Sequence, residues 1–222
     1  MKHALTVIAI STALAAGTAQ AQTTTVPPTG EPRAGRYVAG LGGWTFGDKG
    51  SQFFGVEGGF AWTPDLDVFV EGGRVRDAAG QGIHDAANIV ATGLARIQPG
   101  VIVETRQPAV FFGGGLRYRL RLGHSRAEPF LLGGAGFSRV EQDVTFLAGG
   151  TDITGTLDQW GVVLGTDLSG SFTAGHIVAG GGLVMPFGRQ TFLEVSYRLM
   201  RIFAEDEGIT ANRGGLGFGI RF

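Results

Sequence analysis

The chain has no cysteine among its 222 residues, so neither a disulfide nor a thiolate-bound metal can staple it, and its stability must come from packing or from closed strand pairing. It also has little net charge: 18 Lys and Arg against 19 Asp and Glu leave a formal charge of −1. With no basic cluster there is no electrostatic footprint for nucleic acid. Beyond residue 21 no apolar run approaches the roughly 20 residues that a membrane-spanning helix requires. Such a chain either stays in water or crosses a membrane as strands. There is no P-loop and no strand-then-helix setting for a dinucleotide fingerprint. The histidines, His3, His84, His124 and His176, show no metal-ligand spacing. No cofactor and no metal are expected.

The N-terminus reads Met1-Lys2-His3, then an apolar small-residue stretch from Ala4 to Ala16, then Ala19-Gln20-Ala21. That is the order of a secretory signal, with cleavage expected before Gln22. Residues 22–35, rich in Thr and Pro, read as an extended periplasmic leader. One domain is expected from residue 36 to 222. The abundant residue is glycine, 40 in all, far above the ordinary level of about 7% and without collagen periodicity.

From residue 36 onward one theme recurs: segments of about ten residues in which large apolar side chains alternate with glycine or charge, the period of a strand with two unlike faces. At the C-terminus Leu216, Phe218, Ile220 and Phe222 alternate with Gly215, Gly217, Gly219 and Arg221. Residues 112–121 set Leu116, Tyr118 and Leu120 against Arg117, Arg119 and Arg121. Residues 52–62 set Phe54, Val56, Phe60 and Trp62 against Glu57, and residues 66–73 set Leu66, Val68 and Val70 against Asp67 and Glu71. Residues 191–201 set Leu193, Val195, Tyr197 and Leu199 against Glu194, Ser196 and Arg198. Three glycine-rich segments, 37–46, 130–140 and 174–185, complete a set of eight without revealing their faces.

Links two, four and six along the chain are short (63–65, 122–129, 186–190), whereas links three, five and seven are longer (74–111, 141–173, 202–214). Link one, 47–51, is a short polar turn that falls by parity with the long set. Short turns at one end and longer loops at the other are expected of a transmembrane barrel with both chain ends on the short-turn side. A water-soluble carrier barrel would carry its charges outside. The expected fold is all-β: an eight-stranded antiparallel transmembrane β-barrel in an up-and-down meander.

The run from Gly215 to Phe222 resembles the terminal assembly signal of outer-membrane barrels. Phe222, Ile220 and Gly217 match its pattern, and Gly215 departs from the polar residue that opens it. The chain from Arg36, in segments such as Arg36-Tyr37-Val38-Ala39-Gly40-Leu41-Gly42 and Phe111-Phe112-Gly113-Gly114-Gly115-Leu116-Arg117-Tyr118, is similar to small outer-membrane barrels of the outer-membrane protein A type without a periplasmic domain. The resemblance implies location in a bacterial outer membrane. It also implies outer-membrane lipid, lipopolysaccharide and the barrel assembly machinery as partners, and a monomer.

Functional expectations centre on the lumen. Glu57, Glu71, Arg117, Arg119, Glu194, Arg198 and Arg221 are expected to form an ion-pair network that fills the interior, because unpaired charge there is costly and eight strands leave room only for side chains. The alternative is a small conducting gate. A lipid-modifying enzyme is the third reading, with His176 beside Ser171 or Ser196 and Glu194 as orienter; no catalytic residue is assigned. In the third link Ile83, Ala87, Val90, Leu94 and Ile97 have helical spacing, with Asp85 as N-cap and Pro99-Gly100 as stop. Trp62, Tyr118, Phe130, Tyr197 and Phe222 are expected in interfacial girdles. Glu205, Asp206 and Glu207 form an acidic loop cluster with no calcium-loop spacing.

Overall fold

The computed structural model describes residues 35–46, 50–78, 80–121, 127–165, 168–204 and 208–222. The signal segment and nearly all of the leader, with His3, His124 and the acidic cluster at 205–207, lie outside the described residues. In chain order the elements are β1 (Arg36–Phe46), β2 (Ser51–Ala61), β3 (Leu66–Val75), α1 (Gln81–Leu94), β4 (Val101–Arg106) and β5 (Ala109–Arg119). They continue with β6 (Glu128–Ala148), β7 (Thr151–Asp152), a 3-10 helix (Thr154–Trp160), β8 (Gly170–Phe187), β9 (Thr191–Ile202) and β10 (Ile209–Arg221). No helix among the described residues is long and apolar enough to cross a membrane.

Eight of the strands, β1, β2, β3, β5, β6, β8, β9 and β10, pair antiparallel in chain order, and β10 closes on β1. The register fixes the size of this barrel. Starting at Arg36 and stepping between paired residues, the row runs through Phe60, Val68, Leu116, Gly133, Ala179, Leu199 and Asn212 and returns to β1 at Phe46. It therefore comes back ten residues further along β1. With strands about 4.8 Å apart and a rise of about 3.3 Å per residue, eight strands and this stagger give a tilt of about 40° and a wall radius of about 8 Å.

Alternation then sorts the side chains. Val38, Val56, Val70, Leu116, Leu131, Ile177, Val195 and Phe218 point outward and are exposed. A continuous apolar wall of this extent is a surface made for lipid. Glycines on the inward face explain much of the glycine excess. A Cβ on Gly43 would stand 2.2 Å from the Gly214 carbonyl oxygen, and one on Gly136 the same 2.2 Å from that of Phe112. Rings from neighbouring strands lie over the gaps, Phe53 on Gly43 and Gly215, Phe130 on Gly182. A narrow, strongly curved wall crowds its inner Cβ positions, and glycine beside a large ring relieves the crowding.

Several strands run past the lipid band. β6 is 21 residues long; its outer part, Asp143–Ala148, pairs with β4, and β7 pairs with its last residues. Against this ledge α1 packs Ile83, Ala87, Ala91 and Leu94, joined by Val144, Phe146, Leu157 and Leu168 in a separate small core. Hydrogen bonds from the Thr154 side chain and amide hold the exposed Asp152 carboxyl below its usual range. The expected loops 74–111 and 141–173 are therefore partly sheet, and the last strand begins at Ile209, not Gly215. Outside lipid the outward face need not be apolar, so Glu141 and Asp143 on β6 and Thr210 and Asn212 on β10 broke the pattern that marked the other strands.

The helix starts earlier than its spacing suggested. Gly80 is the N-cap and makes no side-chain cap bond, whereas Asp85, the expected cap, is an exposed residue inside the helix. Ile97 lies beyond the last turn and is exposed. The chain reverses at Gly100, whose φ of +80° suits glycine.

Candidate functional site

Inward-facing positions of five strands bring six charges into one layer: Glu57 of β2, Glu71 of β3, Arg117 of β5, Glu194 and Arg198 of β9, and Arg213 of β10. None of these side chains is more than 4% exposed. Arg198 is the hub. Its Nη1 lies 2.6 Å from Glu57 Oε2 and 2.7 Å from Glu71 Oε2, and its Nη2 donates to Glu194 Oε1 at 2.7 Å. Arg117 Nη2 donates to Glu57 Oε1 at 2.5 Å and to Glu194 Oε2 at 3.0 Å. Arg213 Nη2 donates to Glu71 Oε1 at 3.1 Å, and the Tyr37 hydroxyl donates to Glu57 Oε1 at 2.7 Å.

Three carboxylates facing three guanidiniums balance, so the layer is neutral with every member ionised. Buried charge is tolerated on those terms, each ion being paired and hydrogen-bonded. The guanidinium faces are covered as well: Arg117 stacks 4.2 Å from the Phe130 ring centroid and Arg213 4.4 Å from that of Phe111.

Apolar layers lie on both sides. Toward the end that carries Arg36 and Phe222 are Tyr37, Phe69, Phe130, Leu132, Val184 and Phe192. Toward the far end are Leu41, Phe53, Val75, Phe111, Val140, Met200 and Ile202. Beside Tyr37, Arg117 and Phe192 there remains a cavity of about 10 Å³, room for about one water molecule.

Of the residues expected in the lumen, Glu57, Glu71, Arg117, Glu194 and Arg198 meet in this layer, whereas Arg119 and Arg221 do not. Arg119 grips Asp67 with two nitrogens, Nε donating to Oδ2 at 2.7 Å, and Arg221 Nη2 donates to Glu128 Oε2 at 3.2 Å. Both pairs sit at the rim near the chain ends. Arg121, expected on the lumen face, lies past the end of β5 and pairs with Asp65 in the open. Arg213 and Tyr37 are the additions. Arg213 could have been found by extending the parity of Gly215, Gly217 and Gly219 back along the same strand.

Phe130, expected in a girdle, is buried inside, because β6 alternates from Phe130 in to Leu131 out. Trp62, Tyr118, Tyr197 and Phe222 are exposed. Ile220 and Phe222 point outward; β10 ends at Arg221, and the Phe222 amide still donates to the Arg36 carbonyl at 3.1 Å. Gly217 points inward, where an added Cβ would meet Leu41 Cδ2 at 2.7 Å. His176 pairs with neither Ser171 nor Ser196. Its Nδ1 is 2.8 Å from Ser138 Oγ, its ring sits against Gly113 and Gly136, and it is buried at 2% exposure. Ser171 faces outward beside Arg139, and Glu194 is held by two arginines.

A closed antiparallel meander of eight strands, apolar outside and ionic within, defines a transmembrane β-barrel. The chain belongs to the outer membrane protein beta-barrel domain family, which it matches over residues 7–222, and the family places it in the bacterial outer membrane. Among solved structures it is similar to Neisserial surface protein A, at 14% identity over 86% of this chain and 100% of that one, with a TM-score of 0.55. It is also similar to the N-terminal barrel domain of Pseudomonas aeruginosa OprF (14% identity, 86% and 98% of the two chains, TM-score 0.46). A third is Ail, the attachment invasion locus protein of Yersinia pestis (14%, 85% and 99%, TM-score 0.46). These are likenesses of fold. No curated protein matches the sequence.

Proposed function

We propose that the protein is a non-catalytic outer-membrane barrel with a largely plugged lumen, serving a structural or surface-interaction role through the folded ledge beyond its wall. The observation that carries this reading is the neutral ionic layer around Arg198, covered toward the far end by apolar side chains and toward the chain ends by Tyr37, Phe69, Phe130 and Phe192 with the paired Asp67–Arg119 and Glu128–Arg221. An aqueous pore needs a connected polar path; toward the far end the apolar layer of Leu41, Phe53, Phe111, Val140, Met200 and Ile202 interrupts one, and toward the chain ends the cavity between the rim ion pairs and Arg117 has room for about one water. In planar bilayers the protein should give no steady open channel; a stable wide-bore conductance would overturn the plugged-lumen reading in favour of a porin-like one.

The Ser138–His176 contact has the chemistry of an activated hydroxyl, but both side chains are buried inside the wall. Nε2 of His176 has no hydrogen-bond partner among the described residues, and Glu71 receives hydrogen bonds from Arg198 and Arg213. A nucleophile needs a base in reach and access to its substrate, and a lipid ester would have to pass through the wall to reach this one. The pair reads as a packed polar joint.

Export through a cleaved signal and insertion by the assembly machinery belong to the same proposal, with Gly217, Ile220 and Phe222 as its recognition residues. Deleting Phe222 should lower the amount of assembled barrel in membranes more than it lowers synthesis, read as heat-modifiable gel mobility against total protein. Unchanged assembly would remove the recognition role while leaving the fold untouched.

A further inference from the structure

One buried titratable side chain stands outside the ionic layer. His176 of β8 points inward with Nδ1 2.8 Å from Ser138 Oγ, and its Nε2 has no hydrogen-bond partner among the described residues. A hydroxyl can donate to Nδ1 or accept from it, so Ser138 suits either neutral tautomer. The wall gives the ring its path. A Cβ on Gly136 would stand 2.9 Å from Cε1 and one on Gly113 3.1 Å from Nε2, so the imidazole lies along two glycines with Nε2 leading. The register continues that row: His176 pairs with Gly136, Gly136 with Gly113, and Gly113 with Glu71. Nε2 therefore occupies the inner position next to Glu71, at cross-strand neighbours whose Cβ positions are about 5 Å apart.

The charges facing this ring are Glu71 of β3, Arg213 of β10 and, across Glu71, Arg198 of β9; β5 and β6 turn only Phe111, the two glycines and Ser138 toward it. Arg213 is the least anchored member of the layer. Arg198 meets three carboxylates, whereas Arg213 makes one hydrogen bond, from Nη2 to Glu71 Oε1 at 3.1 Å. Its Nε and Nη1 have no partner among the described residues. Phe111 brings the two side chains together: Arg213 stacks 4.4 Å from its ring centroid, and His176 meets it edge-on at 6.4 Å. On its other side Arg213 pairs in register with buried Thr45, whose hydroxyl accepts from the Ser51 amide at 3.0 Å.

We propose that His176 is an acid-sensitive latch on the lumen: once protonated, it takes Glu71 from Arg213 and frees that arginine toward the Thr45 hydroxyl. With His176 neutral the layer sets three carboxylates against three guanidiniums. A proton on His176 makes four cations for three acids in a buried place, where charge is tolerated only in pairs. Nε2 then carries a hydrogen that needs an acceptor, and both oxygens of Glu71 are already engaged. The 3.1 Å bond to Arg213 gives way before the 2.7 Å bond to Arg198. Imidazole changes charge between pH 5 and 8, so mild acid is the signal. The latch rests on the plugged lumen proposed above, since a water-filled one would solvate Nε2 and the freed arginine alike.

The test is urea unfolding of the full-length barrel in lipid vesicles at pH 7 and pH 5, followed by tryptophan fluorescence. The unfolded chain takes the proton in water, whereas the folded barrel must set it beside Arg213, so acid favours unfolding. One linked proton allows about tenfold per pH unit, and between pH 7 and 5 the wild-type folding constant should fall about tenfold further than that of His176→Gln. Arg213→Met should reverse the response. With the competing guanidinium gone, protonated His176 restores three cations to three carboxylates, and acid should raise the folding constant more than it does in Arg213→Met/His176→Gln. If the methionine variant does not fold, Arg213→Gln, which keeps a donor for Glu71, carries the same expectation. Equal pH dependence in wild type and His176→Gln, or an Arg213→Met response no greater than that of the double variant, would overturn the latch. Planar-bilayer conductance at pH 7 reads the plugged lumen separately, so a latch that fails in a closed barrel leaves that reading standing.

Discussion

Replacing Arg198 by alanine should destabilise the folded barrel by about 3–5 kcal/mol, the cost of removing one partner from a buried ionic group. Arg198 reaches Glu57, Glu71 and Glu194, all within 2.7 Å, and without it three buried carboxylates share Arg117 and Arg213. The uncompensated charge, more than the lost contacts, sets the magnitude. Removing an acid at the same time should therefore recover much of the loss: Arg198→Met with Glu194→Gln leaves two carboxylates and two guanidiniums in the layer. Urea titration in lipid vesicles, followed by tryptophan fluorescence, measures both variants. A single variant within 1 kcal/mol of wild type would mean that water reaches the layer, and the plugged lumen would fall with it.

Gly43→Ala should prevent assembly or cost about 3 kcal/mol or more, whereas Gly40→Ala, three residues earlier on the same strand, should fall within about 0.5 kcal/mol of wild type. The contrast is geometric. At Gly43 the new Cβ would meet the Gly214 carbonyl oxygen at 2.2 Å and Gly215 Cα at 2.6 Å, backbone atoms held by the β1–β10 pairing that closes the barrel. At Gly40 nothing lies within 4 Å. Folded fraction in detergent, read from gel mobility before and after heating, separates the two. Equal tolerance at both positions would show that the wall can relax, and glycine would then be a matter of strand conformation and not of curvature.

Much of the wall was legible before any coordinates. Lipid outside and side chains inside make the two faces of each spanning strand chemically opposite, so Leu193, Val195 and Tyr197 against Glu194, Ser196 and Arg198 read as β9 with its faces assigned. The pattern failed where that contrast disappears. In β1, β6 and β8 glycine stands on both faces, and Phe130 was placed outside although it packs within. Past the lipid band β6 and β10 meet water on their outward side, so Glu141, Asp143, Thr210 and Asn212 looked like loop, and Arg213 was lost with them.

What the sequence determined by itself was the number of strands in the closed wall, their antiparallel order, and which acids and arginines of the clearest strands point inward, because a period of two needs only local information. Tertiary structure alone decided the partners. The ten-residue stagger of the closed wall sets the level of each inward side chain, gathering Glu57, Glu71, Arg117, Glu194, Arg198 and Arg213 into one layer and leaving Arg119 and Arg221 to Asp67 and Glu128 at the rim. Alternation says which way a side chain points; only closure says what it meets.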